Sequence, residues 1–445
     1  MDEQAVIDDD REGLSVDELR EAWTALSPDE RNEGFHLLSH AEREEFFFRV
    51  DAHEQAELMI ILPEREARQW TRALAPDDAA DLIQQAEASR KALILSLLDE
   101  PTRKEVLALL AYAEDRAGGL MNTRYARSRP DMTVDEAIAY LRKQARDSLE
   151  ATYYVYVLDP EQKLLGVFSF RTLLMRSPKQ TVREFMATDL ITVPEQMDQE
   201  VVGRLFREHD LLALPVLDAQ GRMKGIVTVD DIVDVVDEEA TEDAHKFGGM
   251  EALDAPYLAE RFWLMIRKRG GWLMVLFLGE MLTASAMTFY EHAIERAVVL
   301  AMFVPLIISS GGNSGSQAST LVIRAMALGE LRLRDWLKVA KRELASGAVL
   351  GLLLGSIGFI RVCAWEWMFG TYGEFYAYIG LVVLISLFGV VLFGSTAGAM
   401  LPFLLRRVNL DPASASAPFV ATLVDVSGLV IYFSAAVLLL TGKIL

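Results

Sequence analysis

The apolar residues of this chain collect in five long runs, all beyond Glu260. The runs are Gly270–Tyr290, Ala297–Ile323, Leu344–Ile360, Phe375–Leu405 and Pro412–Gly442. A helix that crosses a bilayer needs about 20 predominantly apolar residues. The third run is short but extends past Arg361, whose long side chain can snorkel toward water. Five transmembrane helices are therefore expected. The charge follows the same division: residues 1–260 hold 55 acids and 29 bases, and residues 261–445 hold 10 acids and 15 bases. An acidic body precedes an apolar one, which is how a chain with net charge −21 reaches a mean hydropathy of +0.19. That acidity excludes a nucleic-acid partner, which needs clustered Lys and Arg. A single cysteine, Cys363, excludes an internal disulfide and any multi-thiolate metal site.

Lys and Arg between the runs set the orientation. Arg261, Arg267, Lys268 and Arg269 precede the first run, and the next loop has only Arg296. Arg332, Arg334, Lys338, Lys341 and Arg342 follow the second; none flanks Phe369–Glu374; Arg406 and Arg407 follow the fourth, and Lys443 ends the chain. The alternation predicts a multi-pass protein of the cell (inner) membrane, its N-terminus cytoplasmic and its C-terminus outside. The acidic Met1–Asp10 agrees, because a secretory leader begins basic and turns apolar.

Two features inside the runs bear on function. Asp425, with thirteen residues of its run before it and seventeen after, is expected near mid-bilayer. A carboxylate there costs about 2.5–3.5 kcal/mol or more, so it faces a polar cavity, a bound cation or a hydrogen-bonding neighbour helix. Glu280 either lines a cavity or bridges to another helix. The second feature is Ser309-Ser310-Gly311-Gly312-Asn313-Ser314-Gly315-Ser316-Gln317. Its small residues suit either close helix packing or a loosened helix whose backbone lines water. Asn313 and Gln317, four apart, share one helical face.

Residues 118–237 contain an internal repeat. Met121-Asn122-Thr123 matches Met186-Ala187-Thr188 at an offset of 65, and Gly166-Val167-Phe168-Ser169 matches Gly225-Ile226-Val227-Thr228 at 59. Each copy reads as helix, strand, tight turn, strand, helix, with strands at Tyr153–Leu158 and Ala213–Leu217. The arrangement resembles a tandem pair of CBS (cystathionine-β-synthase-type) domains. In those, Gly-x-x-Thr-x-x-Asp after the second strand often holds a nucleotide ribose. Gly225, Thr228 and Asp231 fit that pattern and are the candidates for an adenine nucleotide, ATP among them. The first copy has Ser169 and Thr172 and lacks the matching acid.

Residues 1–117 read as an array of short helices, several opened by proline (Pro28, Pro63, Pro76, Pro101) at loose multiples of about twelve. His36, His40 and His53 carry no zinc motif, and no nucleophile–base set or phosphate loop appears, so no enzyme is expected. Acids cluster instead: Asp77, Asp78 and Asp81 within about a turn, then Asp230, Asp231, Asp234, Asp237, Glu238, Glu239, Glu242 and Asp243 before the apolar half. Glu238/Glu242 and Glu239/Asp243 are like-charge pairs four apart that oppose a helix. A charge run is commonly only a solvated face. One this dense on a helix leading into a membrane is better explained by divalent cations, and oxygen-only ligands suit Mg2+ or Ca2+ over zinc.

Together these marks resemble the MgtE family of magnesium channels along nearly the whole chain. They are Glu114-Asp115-Arg116-Ala117-Gly118-Gly119-Leu120-Met121, Thr228-Val229-Asp230-Asp231, Glu239-Ala240-Thr241-Glu242-Asp243, Gly311-Gly312-Asn313-x-Gly315-x-Gln317, and Asp411-Pro412-Ala413 with Pro418-Phe419-Val420-Ala421-Thr422-Leu423-x-Asp425. The resemblance implies a multi-domain fold: an all-α superhelical N-domain (1–117), an α/β CBS pair (118–180 and 181–237), a linking helix (238–268) and an α-helical membrane domain (269–445). Its five transmembrane helices are expected near 270–290, 297–323, 344–364, 375–405 and 412–442. It further implies a homodimer with a pore at the interface, where Asp425, with Asn313 nearby, holds a largely hydrated Mg2+. Mg2+ would also regulate, closing the pore through Asp77, Asp81, Asp198, Glu200, Asp210, Asp231, Asp234, Glu239, Glu242 and Asp243, and through Asp411 at the mouth. Two positions depart from the family: Ala417 replaces an Asn frequent eight residues before the pore aspartate, and Val202 stands where an acid can occur.

The expected function is thus a Mg2+-selective channel gated by its own substrate. An ion-coupled carrier would need further intramembrane ionisable groups, and only Glu280 is available. A membrane-anchored nucleotide sensor explains the CBS pair but not Asp425.

Overall fold

The structure, a computed structural model, describes residues 14–147, 151–253, 257–258, 260–296 and 298–441. Met1–Asp10, Ala297, Gly442 and Lys443, used above, lie outside the described residues. The chain forms two compact units, Met1–Glu239 and Ala240–Leu445.

The first unit opens with eight short helices: α1 (Val16–Ala22), α2 (Pro28–Leu37), α3 (His40–Arg49), α4 (Ala52–Ile61), α5 (Glu64–Thr71), α6 (Pro76–Gln85), α7 (Ala88–Leu97) and α8 (Glu100–Leu109). Their period is stricter than the prolines suggest. The N-cap residues are Ser15, Ser27, Ser39, Asp51, Pro63, Ala75, Glu87 and Asp99, one every twelve residues. Ser15, Ser27 and Ser39 each build a reciprocal capping box with a Glu three residues on, which satisfies the otherwise unpaired backbone N–H groups. The residue before each cap is apolar: Leu14, Leu26, Leu38, Val50, Leu62, Leu74, Ala86 and Leu98. All eight belong to, or pack against, one continuous core.

The CBS pair follows with the same topology twice. The first copy runs β1 (Tyr125–Ser128), α9 (Val134–Asp147), β2 (Ala151–Leu158), β3 (Leu164–Ser169) and α10 (Phe170–Leu174). The second runs β4 (Val193–Pro194), α11 (Gln199–His209), β5 (Ala213–Leu217) and β6 (Met223–Thr228). In each three-stranded sheet the first pair is parallel and the second antiparallel. The register confirms the 59-residue offset: Val157 faces Gly166 where Val216 faces Gly225. The two copies also exchange segments. Asn122 bridges Ile226 of the second copy, and Ala187 bridges Val167 of the first. Glycine is required at both crossings, since a Cβ at Gly225 would meet the Asn122 carbonyl at 2.6 Å and one at Gly166 the Ala187 carbonyl at 2.9 Å.

Phe206, Leu214, Val216, Val227 and Ile232 of the second copy belong to the same core as the helical array. The Glu114–Met121 motif ties the two together: Ala117 and Gly118 donate backbone hydrogen bonds to Met197 and Glu195. Helix α12 (Val229–Phe247) leaves β6 directly. The expected linking helix over 238–268 is therefore differently bounded. It starts as part of the second CBS copy and stops at Gly248-Gly249, where Gly249 takes φ +74°.

The second unit holds five helices long and apolar enough to cross a membrane, as expected. They are α13 (Phe262–Phe289), then, after the short α14 (Glu291–Arg296), α15 (Val304–Ala327), α16 (Trp336–Phe369), α17 (Tyr376–Arg407) and α18 (Ala417–Leu440). Residues 262–268, expected in the linker, begin α13. The Ser309–Gln317 segment is unbroken helix, and its glycines serve close packing. A Cβ at Gly394 would lie 2.4 Å from the Gly311 carbonyl, and one at Gly398 2.1 Å from that of Gly315. Helices α15 and α17 thus touch backbone to backbone, the approach small residues permit.

Candidate functional site

Helix α18 begins at Ser416, whose hydroxyl accepts from the Phe419 N–H and from the Trp272 indole at 3.3 Å. Asp411–Ser414 form a separate 3₁₀ turn. The last span is thus shorter than 412–442 at its start, and Asp425 stands eight residues into α18 (Ala417–Leu440), about 12 Å along a helix rising 1.5 Å per residue. That is the first third of the span and not its middle.

Asp425 is half-buried. Helices α15 and α18 pack antiparallel, with Ser319 donating to the Ala415 carbonyl at 2.9 Å, Gly315 against Val420 and Gly311 against Val424. A Cβ at Gly312 would touch Ala421, one turn before Asp425, so the α15 segment that carries Asn313 runs past the start of α18 within about a turn of the aspartate's level. Ser309, Asn313, Gln317 and Thr320 are exposed on one face of α15, while Gly311, Gly312, Ser314, Gly315, Ala318 and Ser319 are buried. The buried small residues serve the packing expected from the sequence, and the exposed polar side chains occupy a different face of the same helix. Glu280, from α13, comes within electrostatic reach of Asp425. Gly279 makes that approach: its Cβ would lie 2.8 Å from Thr422 Cγ2.

The second constellation lies in the first unit. Asp81 on α6 interacts with Asp231 and Glu238 on α12, with Asp78, and with Glu114. Burial and these like charges push Asp81 up to about 8; burial chiefly raises Asp231 to about 7, although Thr228 opposes this by donating two hydrogen bonds to its carboxylate. Asp234 and Glu238 are raised for the same reasons, burial first and neighbouring acids second. The Asp77 carboxylate is buried and accepts from Asn122 Nδ2 at 3.1 Å. Sequence reasoning places Asp78, Asp81, Asp231 and Glu238 in its acidic clusters but gives Glu114 no ligand role; the Glu-Asp-Arg-Ala-Gly-Gly signature was the available signal for it.

Most of the other expected ligands make contacts of their own. Asp198 caps α11 and meets Arg116 at 3.4 Å; Glu200 pairs with Arg204 at 3.1 Å; Asp210 ends α11 in the left-handed region at φ +51°. Glu239 accepts from Gln199 Nε2 at 2.8 Å, and Asp243 lies on α12. In the second unit, Glu242 and Asp411 both pair with Lys246, a residue the sequence reading passed over. Val202 is fully buried in the core, where an acid would have no water. Among the described residues no three His, Cys, Asp or Glu side chains already converge on a single metal position. Of the nucleotide candidates, Gly225 is covered by Asn122 and Met121, and Thr228 and Asp231 bond to each other at the start of α12.

Five membrane-crossing helices carrying a half-buried carboxylate, joined to a CBS pair and an acidic helical array, define a membrane transporter for cations. The family model described as divalent cation transporter matches residues 304–435, that of the MgtE intracellular N domain residues 14–115, and the CBS model residues 117–179 and 182–238. The chain belongs to the MgtE family. It is 43% identical to the magnesium transporter MgtE of Thermus thermophilus over 82% of this chain and 79% of that one. It is 32% identical to the magnesium transporter MgtE of Bacillus subtilis, over 81% and 77%. A crystal structure of the cytosolic domain of the Mg2+ channel MgtE in complex with ATP is 39% identical, covering 50% of this chain and 90% of that one, with a TM-score of 0.46.

Proposed function

We propose that this protein carries Mg2+ across the membrane along a path that passes Asp425, and that its acidic cytoplasmic unit senses Mg2+ and closes that path. The observation that carries the reading is Asp425, a half-buried carboxylate in an otherwise apolar helix. Such a residue is retained at a cost and marks an ion pathway. Mg2+ gives up its water reluctantly and binds proteins through one or two carboxylates plus water. One aspartate per chain, doubled in a homodimer, with the exposed Asn313 amide nearby, suits a hydrated ion.

The sensor follows from charge. Asp78, Asp81, Glu114, Asp231 and Glu238 come from α6, α12 and the loop between the helical array and the CBS pair. A divalent ion relieves their repulsion and draws those elements together, and by linkage an ion that prefers one state favours it. Asp77, Asp198, Glu200, Asp210, Asp234, Glu239, Glu242, Asp243 and Asp411 belong to the same proposal as further ligands. An adenine nucleotide at Thr228 and Asp231 would have to break their mutual hydrogen bonds, so it would couple to the start of α12.

Purified protein in liposomes loaded with a Mg2+-sensitive dye tests the path. Asp425→Ala should reduce influx to background with normal insertion; wild-type influx by well-inserted Asp425→Ala protein overturns the assignment. The same vesicles test the carrier reading, which the proximity of Glu280 to Asp425 keeps in view. Influx that persists with proton and sodium gradients collapsed supports a channel, and influx that stops supports a carrier.

A further inference from the structure

Lys246, in the last turn of α12, sits between two carboxylates that the family resemblance treats as Mg2+ ligands. Its Nζ lies 2.6 Å from Asp411 Oδ2 and pairs with Glu242, one turn back on its own helix. The three groups are each between a quarter and two-fifths exposed, so neither buried nor loose. Asp411 is held in place independently: its Oδ1 accepts the Ala413 N–H at 2.9 Å, which leaves Oδ2 for the cation. The surrounding contact is equally defined. Phe247, next to the lysine, packs against Ile323, Ala413 and Ala415. A Cβ at Gly249 would lie 2.8 Å from the Trp272 ring. The end of α12 is therefore seated on the turn before α18, with the ammonium as a charged fastening there.

We propose that Lys246 is a tethered competitor for a divalent cation at a Glu242–Asp411 site. Its ammonium fastens the linking helix to the turn before α18, and a divalent ion binds the same carboxylate pair only by displacing it. The chemistry of the site fits such an ion. It offers carboxylate oxygen only, with one Asp411 oxygen committed to the backbone, so Mg2+ would keep most of its water, as it prefers. A lysine with charge +1 against two carboxylates leaves one negative charge uncompensated, which still attracts a divalent ion. The lysine thereby weakens divalent binding and supplies a metal-independent hold on the same contact. Its removal should have two opposite effects: less fastening without divalent ion, and tighter divalent binding.

The inference rests on the gating reading above, and its test separates the two. In inside-out patches from membranes containing the full-length protein, Lys246→Gln should raise the open-to-closed ratio at zero Mg2+ by about two- to fivefold, the range for a half-exposed ion pair. It should also lower the Mg2+ concentration that half-closes the path by a similar factor. Lys246→Arg should stay near wild type at zero Mg2+. An unchanged ratio and midpoint in a well-inserted Lys246→Gln protein overturns the proposal. If wild-type current ignores cytoplasmic Mg2+, the gating reading fails, and Mn2+ titration followed by electron paramagnetic resonance decides the site alone. One Mn2+ per chain bound more tightly in Lys246→Gln than in wild type, and lost in Lys246→Gln/Asp411→Asn, supports the competitor; equal binding in all three overturns it.

Discussion

At the scale of single residues, the membrane unit is defined by two carboxylates with different surroundings. Asp425 is half-buried on α18 and Glu280 exposed on α13, within reach of each other's charge. If both attract the same cation, their contributions are unequal, because the half-buried group works in a lower dielectric than the exposed one. Glu280→Gln should therefore reduce Mg2+ influx severalfold while Asp425→Asn abolishes it. Equal loss in the two variants, measured in the same dye-loaded vesicles at matched protein density, would place both carboxylates in one binding shell. Asp425 was legible in the sequence because a lone acid in an apolar run stands out. Its place along the helix differs from the expected one because Ser416 and Pro418, a cap and an early-helix proline, mark where α18 starts. The Lys246–Asp411 pair, 165 residues apart, leaves no local trace at all.

At the scale of elements, two periodicities carry the architecture, and they differ in how visible they are. The five spans follow from length and apolarity alone, and the structure holds the same five. The twelve-residue period of the helical array is better hidden, since the cap varies among Ser, Asp, Pro, Ala and Glu. What recurs is the apolar residue before each cap, which enters the core whatever follows it. Leu38 is 2% exposed there, so Leu38→Ala should cost the first unit about 2–5 kcal/mol through lost burial and a cavity. Leu37, its neighbour, is 72% exposed; Leu37→Ala should change the calorimetric transition by less than about 0.5 kcal/mol. Between α15 and α17 the sensitive positions are glycines. Gly398→Ala places a methyl where 2.1 Å separates it from the Gly315 carbonyl, so the helices must part. Thermal aggregation of the detergent-solubilised protein should then begin well below the wild-type temperature.

At the scale of the whole molecule, the acidic unit should report pH and divalent ions together. Asp81 and Asp231 hold protons up to about 8 and about 7 in the folded unit, against roughly 3.9 for an unfolded aspartate. Between about pH 4 and pH 8 the folded unit therefore binds more protons than the unfolded chain. Its stability falls as pH rises through that window and levels off above it. Scanning calorimetry of the full-length protein should show the transition of the acidic unit dropping between pH 5 and pH 8 without divalent ions. Added Mg2+, by neutralising Asp78, Asp81, Glu114, Asp231 and Glu238, should flatten the drop. A transition indifferent to pH in both conditions would mean that these acids are solvated and independent.

The crossed segments of the CBS pair have a consequence for how the protein is made. The first copy's third strand is covered by residues 186–187, and the second copy's by residues 121–122. All three strands of the first sheet are present by Ser169, but β3 gains its bridge to Ala187 only after the connection to the second copy has left the ribosome. When β6 emerges, its glycine must be met by a segment synthesised roughly a hundred residues earlier. The last of these bridges therefore waits for β6, which is followed at once by α12. The acid-bearing helix leaves the ribosome directly after the strand that closes the pair, and shortly before the first apolar span.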